Sequence, residues 1–527
     1  MRSRAGRGRR EAAARLREGG AIKRRMRLGD LLIQAKLVSA KDVTKALEAQ
    51  AELGGRLGDR LVSIGALSQG ALDAFLNRMP TEPADMAATG IDATEFLSLL
   101  MKLIYVEHLE SARQYVDAIK LPYNLVLELV RMAIDRQLLR NLGTRDSGNP
   151  LDLKYTFTDE GRRWTVDALD QMRYTGPAPV TLDEFAHQVN LQKVTNERVT
   201  FDRLRKSLGD LVFEDSIVES VGPALNSGRA ILLYGPPGNG KTSVALCIAS
   251  VFTDVIYVPY AVMVEGQIIR VYDPSFHSLL SPDPLIEDNQ LSFIRSDEYD
   301  ARWVPCRRPF VVTGGELTLE MLDLRFDPSS NFYEAPLHVK ALGGCFVIDD
   351  FGRQLVSPKN LLNRWIVPLE GRFDYLKLHS GKSFTIPFEE LVIFSTNLEP
   401  EELMDAAFLR RLPYKIEVAG PSVELYKRIF EQECQRQGLT PPGELFDLIV
   451  DKITKGKGLE LAAYQPRFII DQVVATCRFV GQPPHFEPRF VDYALDNLRV
   501  HRHVPLKPPA PPSAPAEGDW MDSKGGK

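Results

Sequence analysis

The 527-residue sequence has few cysteines, and no long apolar run. Its five cysteines are scattered with no C-x-x-C pair and no metal-like Cys/His spacing, a pattern typical of buried free thiols rather than of a disulfide framework. No apolar run approaches the roughly 20 residues that a membrane-spanning helix needs, and the basic N-terminus lacks the apolar stretch of a signal peptide. The net charge of −5 argues against a chain built mainly to coat nucleic acid. We therefore expect a cytoplasmic protein without a transmembrane segment.

The chain is longer than one hydrophobic core usually supports, so several domains are expected. Both ends have biased compositions: residues 1–25 are rich in Arg, Ala and Gly, and residues 504–527 are rich in Pro and Gly. We expect both ends to be disordered. For the first, the alternatives are a nucleic-acid or membrane-binding arm, or sequence upstream of a true start at Met26. The expected domains are 26–80, 91–175, 200–420 and 421–503, with a linker at 176–199.

Residues 26–80 contain an internal repeat. The segment 27–30 (RLGD) recurs as 56–59, an offset of 29 residues, and apolar positions downstream repeat at the same offset. Ser39 and Ser68 are the expected N-caps of a second short helix in each copy. Each copy is therefore predicted to be two short helices with a tight turn between them.

The segment 91–175 has a mixed helical and extended pattern. Its periodicity predicts amphipathic helices from Phe96 to Leu109 and from Tyr123 to Leu142, then a strand within 151–157. A further helix is expected to begin after Thr158. Helices followed by a β-hairpin and a closing helix suggest a winged-helix domain. Its presumptive second helix is largely apolar, so protein contact is favoured over DNA binding.

A phosphate-binding motif follows a buried-strand pattern at 230–234. The residues from Gly235 to Thr242 read GPPGNGKT, which matches G-x-x-x-x-G-K-[ST]. Glycines let backbone amides converge on phosphate oxygens, and the following helix adds its positive N-terminal dipole. Lys241 is predicted to hold the β- and γ-phosphates of ATP, and the Thr242 hydroxyl to ligate Mg²⁺. The predicted nucleotide-binding residues are Gly235, Pro236, Pro237, Gly238, Asn239, Gly240, Lys241, Thr242 and Ser243.

A second apolar run, at 345–348, ends in two acids. Asp349 is predicted to hold the metal through water, and Asp350 to be the general base that orients the attacking water. The alternative is a strand that merely ends in two solvated carboxylates.

With these motifs in place, the chain resembles the AAA+ ATPase superfamily over residues 200–500. Asn397, at the tip of an apolar strand pattern, is similar to the sensor-1 residue of that superfamily. Arg410 and Arg411 resemble its arginine-finger segment, and Arg467 resembles sensor 2. The resemblance implies a homo-oligomeric ring, usually a hexamer, in which one of the two neighbouring arginines serves the ATP of the next subunit. It also implies that Arg467 connects a helical lid to the phosphates.

The sequence departs from the pattern of the superfamily at several positions. The acid pair Asp349-Asp350 stands where the superfamily has Asp-Glu, and the shorter second carboxylate predicts slow turnover, at or below the low end of about 1–100 s⁻¹. The interval from Lys241 to the acid pair is long, so residues 259–340 are expected to hold an insertion. The segment 371–382 alternates like a hairpin, which is a candidate pore or partner contact.

The N-terminal repeat resembles the MshE-type domain of type II secretion and type IV pilus assembly ATPases, in which a tandem R-L-G motif binds cyclic di-GMP. Two positions depart from that motif: Lys36 replaces a glycine and Met79 replaces a glutamine. Paired arginine side chains can stack on guanine and pair with phosphate. The exposed backbone of Gly29 and Gly58 is expected to let the nucleotide approach closely. The alternative is a docking module that binds no nucleotide. The implied ligand residues are Arg27, Leu28, Gly29, Arg56, Leu57 and Gly58.

The sequence thus predicts a multidomain protein with a P-loop α/β AAA+ core and an all-helical lid. A small helical repeat domain and a winged-helix-like α+β domain precede the core. The predicted function is Mg²⁺-dependent ATP hydrolysis by a remodeller or motor acting on a protein partner, with cyclic di-GMP as regulatory ligand. The implied setting is a bacterial secretion, pilus or envelope system. The rival hypotheses are a nucleotide-dependent switch or scaffold with negligible turnover, and a DNA-acting regulator.

Overall fold

A computed structural model describes residues 26–143, 153–209, 211–280, 299–456 and 458–498. The ends that were expected to be disordered, 1–25 and 504–527, lie outside these residues. The described chain forms two compact units. The first comprises the described residues of Met1–Gly209, Ser216–Gly235 and Lys241–Glu417, and the second comprises those of Asp210–Asp215, Pro236–Gly240 and Val418–Lys527.

The N-terminal repeat forms four short helices, as predicted. They are α1 (Leu28–Gln34), α2 (Ala40–Leu53), α3 (Leu57–Ser63) and α4 (Gln69–Leu76). The hydroxyls of Ser39 and Ser68 accept hydrogen bonds from the amides of Asp42 and Ala71, so both predicted N-caps are confirmed.

The two repeated glycines are buried inside the repeat, and the expectation that they expose backbone to a ligand was wrong. A Cβ on Gly29 would lie 2.8 Å from Val43 Cγ1, and a Cβ on Gly58 would lie 2.9 Å from Leu72 Cδ2. Each glycine therefore lets the two helices of its copy pack closely. The physical reason why both copies carry glycine at this position is helix packing.

A helical region with one hairpin follows. It comprises α5 (Ala93–Glu107), α6 (Ala112–Ile119), α7 (Tyr123–Asp135), the antiparallel pair β1 (Leu139–Gly143) and β2 (Lys154–Phe157), and α8 (Asp159–Gln171). The helix predicted to reach Leu142 ends at Asp135 instead, and α6 was not predicted. Helix α8 begins after Thr158, as expected, and the Thr158 hydroxyl accepts a hydrogen bond from the Gly161 amide. The order of elements agrees with a winged helix, which stays a prediction.

The rest of the first unit is rich in strands. In chain order these are β3 (Val180–Thr181), β4 (Ile231–Tyr234), β5 (Val255–Pro259), β6 (Ala261–Val264), β7 (Gln267–Arg270), β8 (Trp303–Arg307), β9 (Phe310–Thr313), β10 (Arg325–Asp327), β11 (Phe332–Glu334), β12 (Cys345–Ile348), β13 (Phe373–Lys377), β14 (Ser383–Pro387), β15 (Leu391–Ser395) and β16 (Tyr414–Glu417). The helices are α9 (Leu182–Leu191), α10 (Phe201–Leu208), α11 (Asp215–Ser227, whose first residue belongs to the second unit), α12 (Lys241–Val251), α13 (Leu337–Lys340), α14 (Pro358–Gly371), α15 (Pro400–Leu403) and α16 (Ala406–Leu409).

Five of these strands form the predicted parallel sheet, in the order β16-β4-β15-β12-β9. The strands β4, β12 and β15 are buried along almost their whole length, which explains why the sequence shows continuous apolar runs rather than alternation. The strand β15 lies between β4 and β12. Because neighbouring parallel strands end at the same edge, the residues after these three strands are brought together.

A second, mixed sheet was not predicted as such. It has the order β10-β11-β7-β6-β3 and lies mostly in the expected insertion at 259–340. The segment 176–199, expected to be a linker, instead supplies β3 and the helix α9, whose Phe185 and Val189 are buried. The hairpin predicted at 371–382 is present as β13 and β14.

The described residues of the second unit after 417 are helical, as predicted. They form α17 (Val423–Gln437), α18 (Leu445–Asp451), a π-helical turn at Lys452–Gly456, α19 (Gln465–Phe479) and α20 (Pro488–Asp496). Aromatic and aliphatic side chains from these helices form one buried cluster. All five cysteines are buried free thiols, and no described helix is long and apolar enough to cross a membrane.

Candidate nucleotide-binding site

The predicted phosphate-binding loop connects β4 to α12. Three of its glycines, Gly235, Gly238 and Gly240, have φ values of 127°, 82° and 91°, a region that residues with a Cβ rarely adopt. Lys241 begins α12 and is buried, and its Nζ donates to the Gly235 carbonyl oxygen at 2.8 Å. Burial lowers the pKa of Lys241, and the carboxylates of Asp350 and Asp349 oppose that shift. The loop and its lysine therefore have the form that a phosphate cradle requires.

Thr242 and Asp349 lie next to each other, as the prediction of a shared metal requires. The Thr242 hydroxyl donates to Asp349 Oδ2 at 2.8 Å. The Asp349 amide donates to the carbonyl oxygen of Thr313, at the end of the neighbouring strand β9, at 2.7 Å. A hydroxyl and a carboxylate are hard oxygen donors, and Mg²⁺ is commonly held by one or two protein ligands together with water and phosphate. These residues fit Mg²⁺ bound with a nucleotide.

Asp350 and Asn397 are also brought together. Asn397 Nδ2 donates to Asp350 Oδ1 at 3.0 Å, because β15 and β12 are neighbouring parallel strands. Asp350 has a φ of 49°, a left-handed conformation that costs a residue with a side chain about 1–2 kcal/mol. Such strain is concentrated at functional sites. The Asp350 side chain is exposed, and its carboxylate lies close enough to Lys241 to act on the pKa of that lysine.

Gln354 supports this acidic turn and was not identified from the sequence. Its side chain is buried, and Nε2 donates to the carbonyl oxygens of Asp349 at 3.1 Å and Asp350 at 3.3 Å. The Thr396 hydroxyl donates to the Phe351 carbonyl oxygen at 2.8 Å. These bonds fix the backbone that carries the two acids. No local pattern marks Gln354, since it lies in an irregular segment.

In the second unit, the phosphate-binding loop contacts the segment that precedes α19. The Tyr464 amide donates to the Gly238 carbonyl oxygen at 3.0 Å, and the Ala463 amide donates to Asn239 Oδ1 at 3.2 Å. A Cβ on Gly238 would lie 2.3 Å from Tyr464 Cδ1, so the tyrosine ring packs directly on the glycine. Tyr464 was missed as a site residue, although it lies three positions before the predicted Arg467.

The three predicted arginines have different environments. Arg467 is 75% exposed and lies 3.7 Å from Asp471 on its own helix, so its predicted contact with phosphate stays a prediction. Arg411 Nε donates to Glu370 Oε1 at 2.6 Å, and its Nη1 to the Ala407 carbonyl oxygen at 2.7 Å. The Arg410 side chain is exposed, and none of the described residues forms an ion pair with it. Of the two neighbouring arginines, Arg410 is therefore the one whose side chain is open to solvent.

The remaining predicted residues have more ordinary surroundings. Pro236 and Pro237 are exposed and Ser243 is half-buried, at the outer side of the loop and the first turn of α12. In the repeat, Arg56 is exposed, Arg27 and Leu57 are half-buried and Leu28 is buried. Gln50, at the position in the first copy that Met79 holds in the second, donates through Nε2 to the Gly55 carbonyl oxygen at 2.8 Å. Met79 is buried.

Three proteins named proteasome-activating nucleotidase are similar to this chain. That of Methanocaldococcus jannaschii is 23% identical over 285 residues, which is 51% of this chain and 64% of the relative. That of Archaeoglobus fulgidus is 24% identical over 214 residues, 39% of this chain and 51% of the relative. That of Methanospirillum hungatei is 26% identical over 171 residues, 31% and 39%.

These relatives support an AAA+ ATPase core. The chain spans less than two thirds of the length of each of them. Residues 422–497 match a family described as a domain of unknown function, DUF8689.

Two solved structures give partial matches. The Thermotoga maritima RuvB Holliday junction branch migration motor is 16% identical, and the match covers 57% of this chain and 74% of that one with a TM-score of 0.31. NtrX from Brucella abortus in complex with ADP is 14% identical, with coverage of 62% and 63% and a TM-score of 0.32. Both TM-scores are low, so the description of the fold relies on the order of the strands in the sheet and on the geometry of the site.

Proposed function

We propose that this chain is a Mg²⁺-dependent ATPase of the AAA+ type that remodels or moves a protein partner. The observation that supports the proposal is the meeting of three strand ends: Lys241 and Thr242 after β4, Asp349 and Asp350 after β12, and Asn397 after β15. In this arrangement Lys241 binds the β- and γ-phosphates, and Thr242 and Asp349 hold the metal. Asp350 accepts the proton of the attacking water, and Asn397 orients that carboxylate or the water.

The protein partner and the ring belong to the same proposal. The name of the relatives, proteasome-activating nucleotidase, joins nucleotide use to activation of a protein complex, which favours a protein substrate over a small molecule. In the proposed homo-oligomeric ring, a hexamer by resemblance, Arg410 contacts the ATP of the neighbouring subunit. Arg411 is a positioning residue, because Glu370 holds it within its own subunit. The proposed setting is a bacterial secretion, pilus or envelope machine, on the resemblance of the N-terminal repeat to the MshE-type domain.

The decisive experiment for the reaction is phosphate release with Mg²⁺ and ATP, compared between the wild-type chain and Asp350→Asn. We expect the variant to bind ATP with wild-type affinity and to lose at least about 100-fold in turnover, the usual contribution of a positioned general base. Asp135→Asn is the matched control, since it makes the same chemical change at an exposed position on α7. Equal and near-zero rates in both chains would favour the switch or scaffold that binds ATP without turnover.

For the N-terminal repeat we propose docking as the main role. Its buried residues share one apolar cluster with β5 and β8, and the Arg78 guanidinium pairs with Asp254 at 2.6 Å. Gln188 Nε2 donates to the Arg78 carbonyl oxygen at 2.8 Å. These contacts fix the repeat to the rest of the first unit. Titration with cyclic di-GMP tests this: saturable binding that Arg27→Ala and Arg56→Ala remove would restore the nucleotide-sensor hypothesis.

A further inference from the structure

A cavity of about 230 Å³ lies in the first unit, away from the nucleotide-binding residues. It is lined by residues of α5, the C-terminal end of α8 and the hairpin formed by β6 and β7. Its volume gives room for several water molecules or for a ligand of a few heavy atoms. The polar side chains around it are Glu95, Ser98, Lys102, Gln171 and Gln267.

Lys102 is the unusual member of this lining. It is only 3% exposed, although lysine is almost never buried without a partner. Its Nζ donates to the carbonyl oxygen of Met172, the residue that ends α8, at 3.0 Å. That bond satisfies one of the three ammonium hydrogens, and it is the one hydrogen bond that the described residues give this side chain. Two donors therefore remain beside a cavity of ligand size.

A purely structural role explains part of this arrangement. A cation near the last carbonyls of a helix is stabilised by the helix dipole, and Lys102 has that position at the end of α8. This role requires neither the cavity nor the surrounding amide and hydroxyl groups. It also leaves two ammonium hydrogens without an acceptor in a buried site, which costs free energy unless something accepts them.

We propose that the cavity binds a small organic carboxylate whose oxygens accept the two remaining hydrogens of Lys102 Nζ. The site offers one cation, and the exposed carboxylate of Glu95 lies at its rim. This charge balance suits a monoanion better than a dianionic phosphate. Ser98, Gln171 and Gln267 provide further hydrogen-bonding groups for the rest of the ligand. The ligand would bind between the helical region and the mixed sheet.

The test is site-specific acetylation of the full-length protein with dilute deuterated acetic anhydride at pH 8, followed by peptide mass spectrometry. Burial lowers the pKa of Lys102 to about 8, so a large fraction of its amine is neutral and nucleophilic under these conditions. Propionate is the carboxylate probe and inorganic phosphate is the comparison anion. We expect propionate to slow labelling of Lys102 by the factor 1 + [L]/Kd, about tenfold when its concentration is ten times Kd.

Controls separate binding from general protection. Labelling of Lys41, which is exposed on α2, is expected to be unchanged by propionate. Ser98→Leu places a larger side chain in the lining, one helical turn before Lys102 on α5. We expect it to abolish the protection while Lys102 is still labelled in the absence of propionate. In a second measurement, propionate is expected to raise the Tm of the wild-type protein and to leave the Tm of Lys102→Met unchanged.

Three results would overturn the proposal. Lys102 could resist labelling in the folded protein, which would mean that the amine is closed off as a helix cap. It could be labelled at one rate with and without propionate. Protection by phosphate in place of propionate would show that the charge argument is wrong.

Discussion

Replacing Gly238 with alanine tests the contact between the phosphate-binding loop and Tyr464. Two separate costs follow from the structure. Gly238 has a φ of 82°, where a residue with a Cβ is strained by about 1–2 kcal/mol. The new Cβ would also lie 2.3 Å from Tyr464 Cδ1 and 3.0 Å from Cε1, so the loop or the ring has to move. The strain alone corresponds to a loss of about 5- to 30-fold in an equilibrium constant.

The assay is titration of Mg²⁺ and a fluorescent ATP analogue into wild type, Gly238→Ala, Tyr464→Ala and the double variant. We expect Gly238→Ala to weaken binding at least about tenfold, because the loop amides are displaced from the phosphates. Truncating Tyr464 removes the steric cost and leaves the φ strain, so the double variant is expected to recover part of the loss. The coupling free energy in this cycle is expected to be about 0.5–3 kcal/mol.

A matched control separates strain from loss of the site. Gly438 has a φ of 69°, and a Cβ there would have open space around it. Gly438→Ala is therefore expected to lower stability by a similar strain term while ATP affinity stays at the wild-type value. Strictly additive effects of Gly238→Ala and Tyr464→Ala would refute the packing contact, and an unchanged affinity in Gly238→Ala would refute the role of the loop.

Three further predictions follow from the same structure. Thr242→Val and Asp349→Asn are each expected to weaken Mg²⁺-ATP binding about tenfold or more, while ATP binding without Mg²⁺ changes little. Calorimetry that found equal losses of ATP affinity with and without the metal would contradict this. Arg410→Ala is expected to lower turnover at least about 100-fold in the assembled ring with unchanged ATP affinity. Arg411→Ala is expected to lower thermal stability, because its pair with Glu370 is lost. If ATPase assays on rings of mixed subunits gave the opposite assignment, the roles of the two arginines would be exchanged. Lys36→Gly is expected to raise the free energy of unfolding by up to about 1 kcal/mol in urea titrations, because Lys36 has a left-handed φ of 56°. A less stable variant would show that the lysine side chain contributes more free energy than the backbone strain costs.

Much of the candidate site could be predicted from the sequence because its chemistry is local. The glycines, Lys241 and Thr242 belong to one continuous motif, and each acid or amide follows directly after an apolar strand. Parallel strands then bring these ends to one edge. Gln354 and Tyr464 could not be found in this way, because their roles depend on contacts that are distant in the chain and leave no periodic signal.

Elements of the fold were predicted where typical turn and capping residues mark their ends, and were missed where such residues are lacking. Lys120, the residue after α6, and Gln137, two residues after the end of α7, are left-handed with φ values of 64° and 57°. Glycine or asparagine is the usual signal for such a helix end, so the sequence showed no boundary. The mixed sheet was missed for another reason: its strands pair across the insertion, and such pairing depends on tertiary contacts.

The buried charges that join the segments were also invisible in the sequence. Arg302 is 1% exposed and pairs with Asp300 at 2.7 Å and with Glu184 at 2.8 Å. Arg308 donates to the carbonyl oxygens of Gln192 at 2.8 Å and of Gly343 at 2.5 Å. Both arginines lie in the insertion, where we expected a segment of no assigned role. They fix α9 and the turn before β12, and so support the strand that carries the two acids.

The most direct test of the central claim is equilibrium binding of ATP with Mg²⁺ to the purified chain and to Lys241→Ala. We predict that the wild type binds and that removing Mg²⁺ weakens binding. We also predict that the alanine variant loses at least about 100-fold in affinity, because a buried charge contact with phosphate is lost. A wild-type chain that retains no adenine nucleotide, or a Lys241→Ala chain that binds as well as the wild type, would contradict it.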